Sequence, residues 1–260
     1  MKLLPLLKFV YRGLLTGLPI LTYNPITKLN FHSPFDVKPY STYINYKLNA
    51  TQYNYITDYL NNSKMILDQV SIDNLKEDYY LSVNIYNCSV PIIPSEGDVT
   101  RCEINTYITE KNEDKGTVIL DYESNALSMD PVNIFKNKNK DDVYFKYING
   151  NILAKCKSDN IELNLECNYD SNDLDFELGE NLVDYSDKIF YTNSIYDKLF
   201  YDTSLTKAKT KIPTFVKDVK FRFGDLIFEK PESIFYFEDE LNFVGSIWNN
   251  LYRINETNNM

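Results

Sequence analysis

From about residue 79 onward, apolar and polar side chains alternate with a period of two through much of the chain. Tyr79, Leu81, Val83 and Ile85 alternate with Tyr80, Ser82, Asn84 and Tyr86, and Cys102, Ile104, Thr106 and Ile108 alternate with Arg101, Glu103, Asn105 and Tyr107. Successive strand side chains point to opposite faces, so each series predicts a β-strand with two chemically different sides. Thr117 to Tyr122 predicts a third strand, with Lys115-Gly116 as the turn before it. Val143 to Ile148, Ile152 to Lys157 and Ile161 to Cys167 read as an antiparallel meander that Leu174 to Leu178 continues. Its turns are Asn149-Gly150-Asn151 and Ser158-Asp159-Asn160. Asn-Gly is the stronger hairpin signal, because a two-residue type I′ loop needs positive φ at both central positions. Phe215 to Phe223 and Ser233 to Phe243 add strands near the end, with Gly224-Asp225 between them.

Helical spacing is confined to two places. Residues 51–61 set Tyr55, Ile56, Tyr59 and Leu60 on one face, with Thr51 as candidate cap. Leu3, Leu6, Leu7, Val10 and Leu14 predict an amphipathic helix. Lys8, Arg12, Gly13, Gly17 and Pro19 interrupt it, which argues against a spanning helix and against a signal peptide. That helix either packs on its own domain or gives residues 1–21 a peripheral membrane contact. Pro25, Pro34 and Pro39 mark an irregular stretch, and Asp130-Pro131 a turn or helix start. The expected organisation is an extension over 1–45, one β-rich domain over 46–250 and a tail over 251–260. Eight or more strands with short turns predict a mainly β (α+β) fold, an antiparallel barrel or sandwich with few peripheral helices.

Composition narrows the function classes. With 43% hydrophobic and 25% charged residues in 260, the chain can bury a sizeable core. A formal charge of −10 argues against a nucleic-acid partner, since phosphate backbones are held by a basic footprint. One histidine, His32, excludes a histidine metal cluster and lacks the partners of a catalytic triad. Cys88, Cys102, Cys156 and Cys167 have no CxxC spacing and read as reduced, buried thiols. Acidic groups at Asp121/Glu123, Asp170/Asp173/Asp175 and Glu238-Asp239-Glu240 lack the order of an EF-hand and read as solvated faces and turns. Ile247, Trp248 and Leu251 are expected to seal the core. No metal or cofactor is expected, the expected location is the cytoplasm, and a homo-oligomer stays open.

Arg101 and Glu103 share one face of one strand with Tyr107. Two readings stand side by side. Inside a barrel, Arg101 would grip a carboxylate and Glu103 would handle a proton. On a half-solvated strand the same spacing is a surface ion pair.

The run from Arg101 to Thr109, followed by Lys115-Gly-Thr-Val-Ile-Leu-Asp-Tyr-Glu-Ser-Asn-Ala126, resembles the acetoacetate decarboxylase superfamily. Glu103 and Tyr107 stand four apart, Gly116 supplies the turn and Ser124-Asn125 the polar corner. A second block, Phe190 to Ala208, is similar to a segment of relatives that have no established reaction. The resemblance covers roughly residues 50 to 245. It implies a β-barrel or cone with a ligand pocket inside. There a small organic acid or ketone would meet Arg101, Tyr107, Ser124 and Asn125, with Glu103 as a catalytic group. True decarboxylases carry a Gly-Phe-Pro-Lys-Lys type segment after the corner, whose lysine forms a Schiff base. This chain has Ile134-Phe-Lys-Asn-Lys-Asn-Lys140 instead. Lys136, Lys138 and Lys140 at period two would gather three ammonium groups, whose repulsion favours a neutral, nucleophilic amine. The same run also reads as a solvated loop ending in Asp141-Asp142. Two function classes therefore remain: ligand binding in a barrel, with or without lyase chemistry, and a non-catalytic structural or interaction protein on the same scaffold.

Overall fold

A computed structural model describes residues 36–60, 65–89, 99–110, 115–125, 142–170, 172–179, 182, 184–185, 188–191, 198–203 and 208–246. The first part contains β1 (Asp36–Val37), β2 (Thr42–Lys47), helix α1 (Ala50–Leu60), β3 (Met65–Leu67), β4 (Val70–Ser71) and β5 (Glu77–Asp78). Three long strands follow: β6 (Tyr80–Ser89), β7 (Val99–Glu110) and β8 (Lys115–Ser124). Next are β9 (Val143–Ile148), β10 (Asn151–Lys157), β11 (Ile161–Asn168), β12 (Leu174–Asp175), β13 (Lys188–Tyr191) and β14 (Lys198–Thr203). The last are β15 (Thr210–Ile212), β16 (Phe215–Phe223), β17 (Leu226–Phe228), β18 (Ser233–Phe237) and β19 (Leu241–Ser246).

Seven strands close a ring in the order β6, β1, β19, β14, β13, β8, β7 and back to β6. All its pairings are antiparallel except β8 with β13. The sheet branches at β6. Its end pairs with β1, while Tyr80 to Ile85 pair with β2, which leads on to β18, β15 and β12. Closure leaves the inner strands no open edge. A second sheet, in the order β17, β16, β11, β10, β9, covers the outer face of the ring.

Period-two alternation supplies the core between these layers. Leu81, Val83 and Ile85 of β6, Ile104 and Ile108 of β7, and Val118 and Leu120 of β8 point outward. They meet Ile152, Leu163, Leu165, Phe221 and Phe223 of the second sheet. Ile56 and Leu60 of α1 join this core, and Tyr55 and Tyr59 pack against it.

The hairpin expected at Asn149-Gly150 is present. Asn149 has φ 50° and Gly150 φ 80°, and Ile148 faces Asn151 directly across the loop. Other details differ from expectation. The helix is capped by Asn49 rather than Thr51: Asn49 Oδ1 accepts from the Gln52 N–H at 2.9 Å, and Gln52 Oε1 accepts from the Asn49 N–H at 3.0 Å. That reciprocal pair satisfies donors that the first helical turn leaves open. Gly116 lies within β8, opposite Ile108, and is not a turn. Leu174–Asp175 leaves the meander and pairs with β15 in the ring sheet. The run expected as one strand over 233–243 is two, β18 beside β2 and β19 beside β1.

Asp121 and Glu123 are buried, not solvated, and so is Asp173. Asp121 accepts from Asn160 Nδ2 at 2.6 Å, and Asp173 from Tyr236 Oη at 2.8 Å, which is how the interior tolerates them. Residues 42–47, which straddle position 45/46, form one continuous strand. Residues 1–21, Pro25, His32, Pro34, Asp130-Pro131, Ile247, Trp248 and Leu251 lie outside the described residues. Cys88, Cys102, Cys156 and Cys167 are free, buried thiols.

Candidate functional site

The other face of the same strands looks into the ring. β7 contributes Arg101, Glu103, Asn105 and Tyr107, all buried, with Arg101 5% and Glu103 8% exposed. Residues paired across a ladder share a face, so register fixes their neighbours. Arg101 stands opposite Tyr86 of β6 and Ser124 of β8; Glu103 stands opposite Asn84 and Tyr122. Arg101 Nε donates to Glu103 Oε1, and Tyr86 Oη donates to that same oxygen at 2.9 Å. The Arg101 guanidinium carbon lies 4.0 Å from the centroid of the Tyr122 ring. A guanidinium does not lose its proton at any ordinary pH, so its burial requires a counter-charge, and Glu103 supplies it.

The surrounding phenols stay protonated. Burial drives the Tyr86 hydroxyl well above its ordinary pKa, and the Glu103 charge pushes it the same way. Tyr43 of β2 is raised for the same reasons, burial first and then Glu103 and Tyr107. Tyr43 is nevertheless only half-buried.

Further along the inner face, burial pushes Tyr107 up to about 12, against a hydrogen bond with Ser82. The Tyr107 and Ser82 hydroxyls lie 2.9 Å apart. Ser82 Oγ donates to Asn45 Oδ1, and Asn45 Nδ2 donates to Ser233 Oγ at 3.1 Å. A polar thread therefore crosses from β7 to β6, β2 and β18. Asn105 sits between Glu103 and Tyr107, and its Oδ1 is buried with no hydrogen-bond partner among the described residues. Beyond Tyr107, Asp68 accepts from Thr109 and Tyr185, whose ring meets Tyr107 edge-on at 5.7 Å. Burial alone would raise the Asp68 carboxyl. The hydrogen bonds from Thr109, Tyr185 and the Gln69 N–H outweigh it and hold the group below its ordinary value.

The structure therefore brings Arg101, Glu103, Tyr107 and Ser124 onto one buried face. Asn125 serves the backbone: its Oδ1 accepts from the Thr100 N–H at 2.9 Å, and its own N–H donates to Thr100 O at 3.2 Å. Lys136, Lys138 and Lys140 lie outside the described residues. Of the buried polar residues described, Arg101 is the one cation. Tyr43, Tyr86, Asn105 and Tyr122 complete the face. Tyr86 and Asn105 were visible in the period-two series, whereas Tyr122 and Tyr43 become neighbours only through strand register. Among the described residues no group of three or more His, Cys, Asp or Glu side chains is arranged to hold a metal ion.

A closed ring, flanked outside by a second sheet and holding within it both a polar cluster around Arg101 and an apolar one that includes Tyr80, Cys88, Val99, Phe235 and Phe237, defines a mainly β barrel. Among solved structures, an acetoacetate decarboxylase from Legionella pneumophila matches with a TM-score of 0.51 and 12% identity, over 84% of this chain and 89% of that one. A second acetoacetate decarboxylase structure matches with a TM-score of 0.50 and 10% identity, over 87% of this chain and 94% of that one. The chain thus has the fold of acetoacetate decarboxylase. No family model and no curated protein matches it. No helix among the described residues is long and apolar enough to cross a membrane.

Proposed function

We propose that the ring interior binds a small organic acid or ketone. Arg101 faces the carboxylate or carbonyl oxygen, Tyr107 and Ser124 line the same space, and Glu103 is the group that moves a proton. The observation that carries this reading is the Arg101–Glu103 pair, buried on the inner face of a closed barrel. A buried ion pair is a weak source of stability compared with an apolar replacement, so its presence there is better accounted for by recognition. Lyase chemistry is a further step. A Schiff base needs an amine that can become neutral, which Arg101 cannot supply, so that route rests on Lys136, Lys138 or Lys140.

One experiment separates the readings. The full-length chain is incubated with acetoacetate or pyruvate, reduced with borohydride and weighed by mass spectrometry, with saturation-transfer NMR on the unreduced mixture. An adduct on one of the three lysines assigns lyase-type chemistry. NMR transfer that disappears in Arg101→Met, without an adduct, assigns non-covalent binding. Neither signal from folded protein overturns the proposal and favours the structural or interaction protein.

A further inference from the structure

Residues paired across a ladder line up in rows, and one row of the inner face runs through Phe235, Tyr43, Asn84, Glu103 and Tyr122. Four of these are buried, and Tyr43 is the one that keeps accessible surface. Its ring is fixed from two sides, stacked on Phe235 with centroids 5.2 Å apart and meeting Phe237 edge-on at 5.6 Å. The hydroxyls of Tyr86, Tyr107 and Tyr185, on the same face, are committed to Glu103, Ser82 and Asp68. The Tyr43 hydroxyl has no hydrogen-bond partner among the described residues, and unlike Asn105 Oδ1 its oxygen is not sealed from solvent. Burial first, and the Glu103 charge second, keep it protonated. It is therefore a neutral donor with an uncommitted hydrogen, held on an aromatic support in the row of Glu103. β2 and β7 flank β6 on opposite sides, so their backbones stand about 10 Å apart, two strand spacings. A ligand lying over β6, with its carboxylate at Arg101 on one side, meets the Tyr43 hydroxyl on the other.

We infer that Tyr43 sets the specificity of the proposed acid site: its hydroxyl donates to the ligand's carbonyl oxygen, and Arg101 takes the carboxylate. This rests on the proposed acid-binding role of Arg101 and divides the ligand's oxygens between the two residues. A saturated acid of the same length offers the phenol a methylene instead of an acceptor and leaves that donor unpaired. A site built to hydrogen-bond a group discriminates against the analogue that lacks it.

The test compares acetoacetate with butyrate, the same carbon chain without the carbonyl. Both are titrated calorimetrically into the full-length chain and into Tyr43→Phe, which keeps the ring and its packing. In the unaltered chain acetoacetate is expected to bind about tenfold tighter, the effect of one well-made hydrogen bond. Tyr43→Phe is expected to weaken acetoacetate to the level of butyrate and to leave butyrate unchanged. With the unaltered chain, the keto carbon resonance of 13C-labelled acetoacetate is expected to move downfield on binding, as that of a hydrogen-bonded carbonyl does. An unmoved resonance, or equal affinities for the two acids, would overturn the inference without any variant. So would a preference for acetoacetate that survives in folded Tyr43→Phe. In each of these cases, binding that Arg101→Met abolishes would leave the acid-binding reading standing. Binding of neither acid would overturn both.

Discussion

Strands β6, β7 and β8 are buried on both faces, yet the two faces differ in kind. Toward the second sheet they present Leu81, Val83, Ile85, Ile104, Ile108, Val118 and Leu120. Toward the ring interior they present Ser82, Asn84, Arg101, Glu103 and Asn105 among Tyr80, Tyr86, Cys88, Val99 and Tyr107. Both faces are shielded from bulk water, so burial alone does not explain the contrast. The outer face does what a core does and removes apolar surface from water. The inner face holds groups whose desolvation opposes folding unless each finds a partner. The outer face has its exceptions, Asp121 opposite Ile104 and Glu123 opposite Cys102, and Asn160 donates to Asp121 there; the Arg101–Glu103 ion pair is confined to the inner face.

Substitutions on the two faces should break this contrast in different ways. The largest effect is expected from Arg101→Met, which strands the Glu103 carboxylate. We expect about 3–5 kcal/mol of lost stability in urea unfolding, together with loss of acid binding. Pairing it with Glu103→Leu should restore most of the stability and none of the binding. Full recovery of both would show that the inner face is only structural. Ile104→Ala, the next residue but on the outer face, should cost about 2–4 kcal/mol through lost burial and a cavity, with ligand affinity unchanged. A change in affinity there would mean that the two faces are coupled through the strand.

The smallest effect concerns pH and sits at the Tyr107 end of the inner face. The folded-state pKa of Asp68 is depressed, so its contribution is present above the unfolded carboxylate value near 4 and lost as pH falls through the folded value. Unfolding followed from pH 6 to pH 2 should therefore show a steeper loss in the native chain than in Asp68→Asn. Parallel curves would remove Asp68 from the acid sensitivity of this face.

Much of this arrangement is legible in local sequence, because period two and turn chemistry are local. The series around Leu81 and Ile104 separates the two faces, and Asn149-Gly150 places its hairpin. Arg101 and Glu103 were ambiguous for a physical reason: an i, i+2 pair looks the same on an inner wall and on a wet surface. Only ring closure decides, and closure depends on Val37 meeting both Cys88 and Leu241. No local pattern encodes pairings of that range. The burial of Asp121 and Asp173 was hidden similarly, since their partners Asn160 and Tyr236 lie far along the chain. The Asn49 cap is legible in its Asn-x-x-Gln spacing, which outcompetes Thr51 because Asn49 and Gln52 satisfy each other's backbone N–H groups.

Ring closure also has a consequence in time. β1 is held between β6 and β19, the latter contributed by Leu241–Ser246. A chain emerging from the ribosome can form the β6–β7–β8 meander early, with Arg101 and Glu103 already side by side. The interior that encloses them is not complete until more than a hundred further residues have been made. Such non-local closure is slow compared with hairpin formation. During synthesis these strands therefore pass through a stage in which a face meant for the interior lies open to water or to other chains, and its charged pair then helps to keep that exposed face soluble.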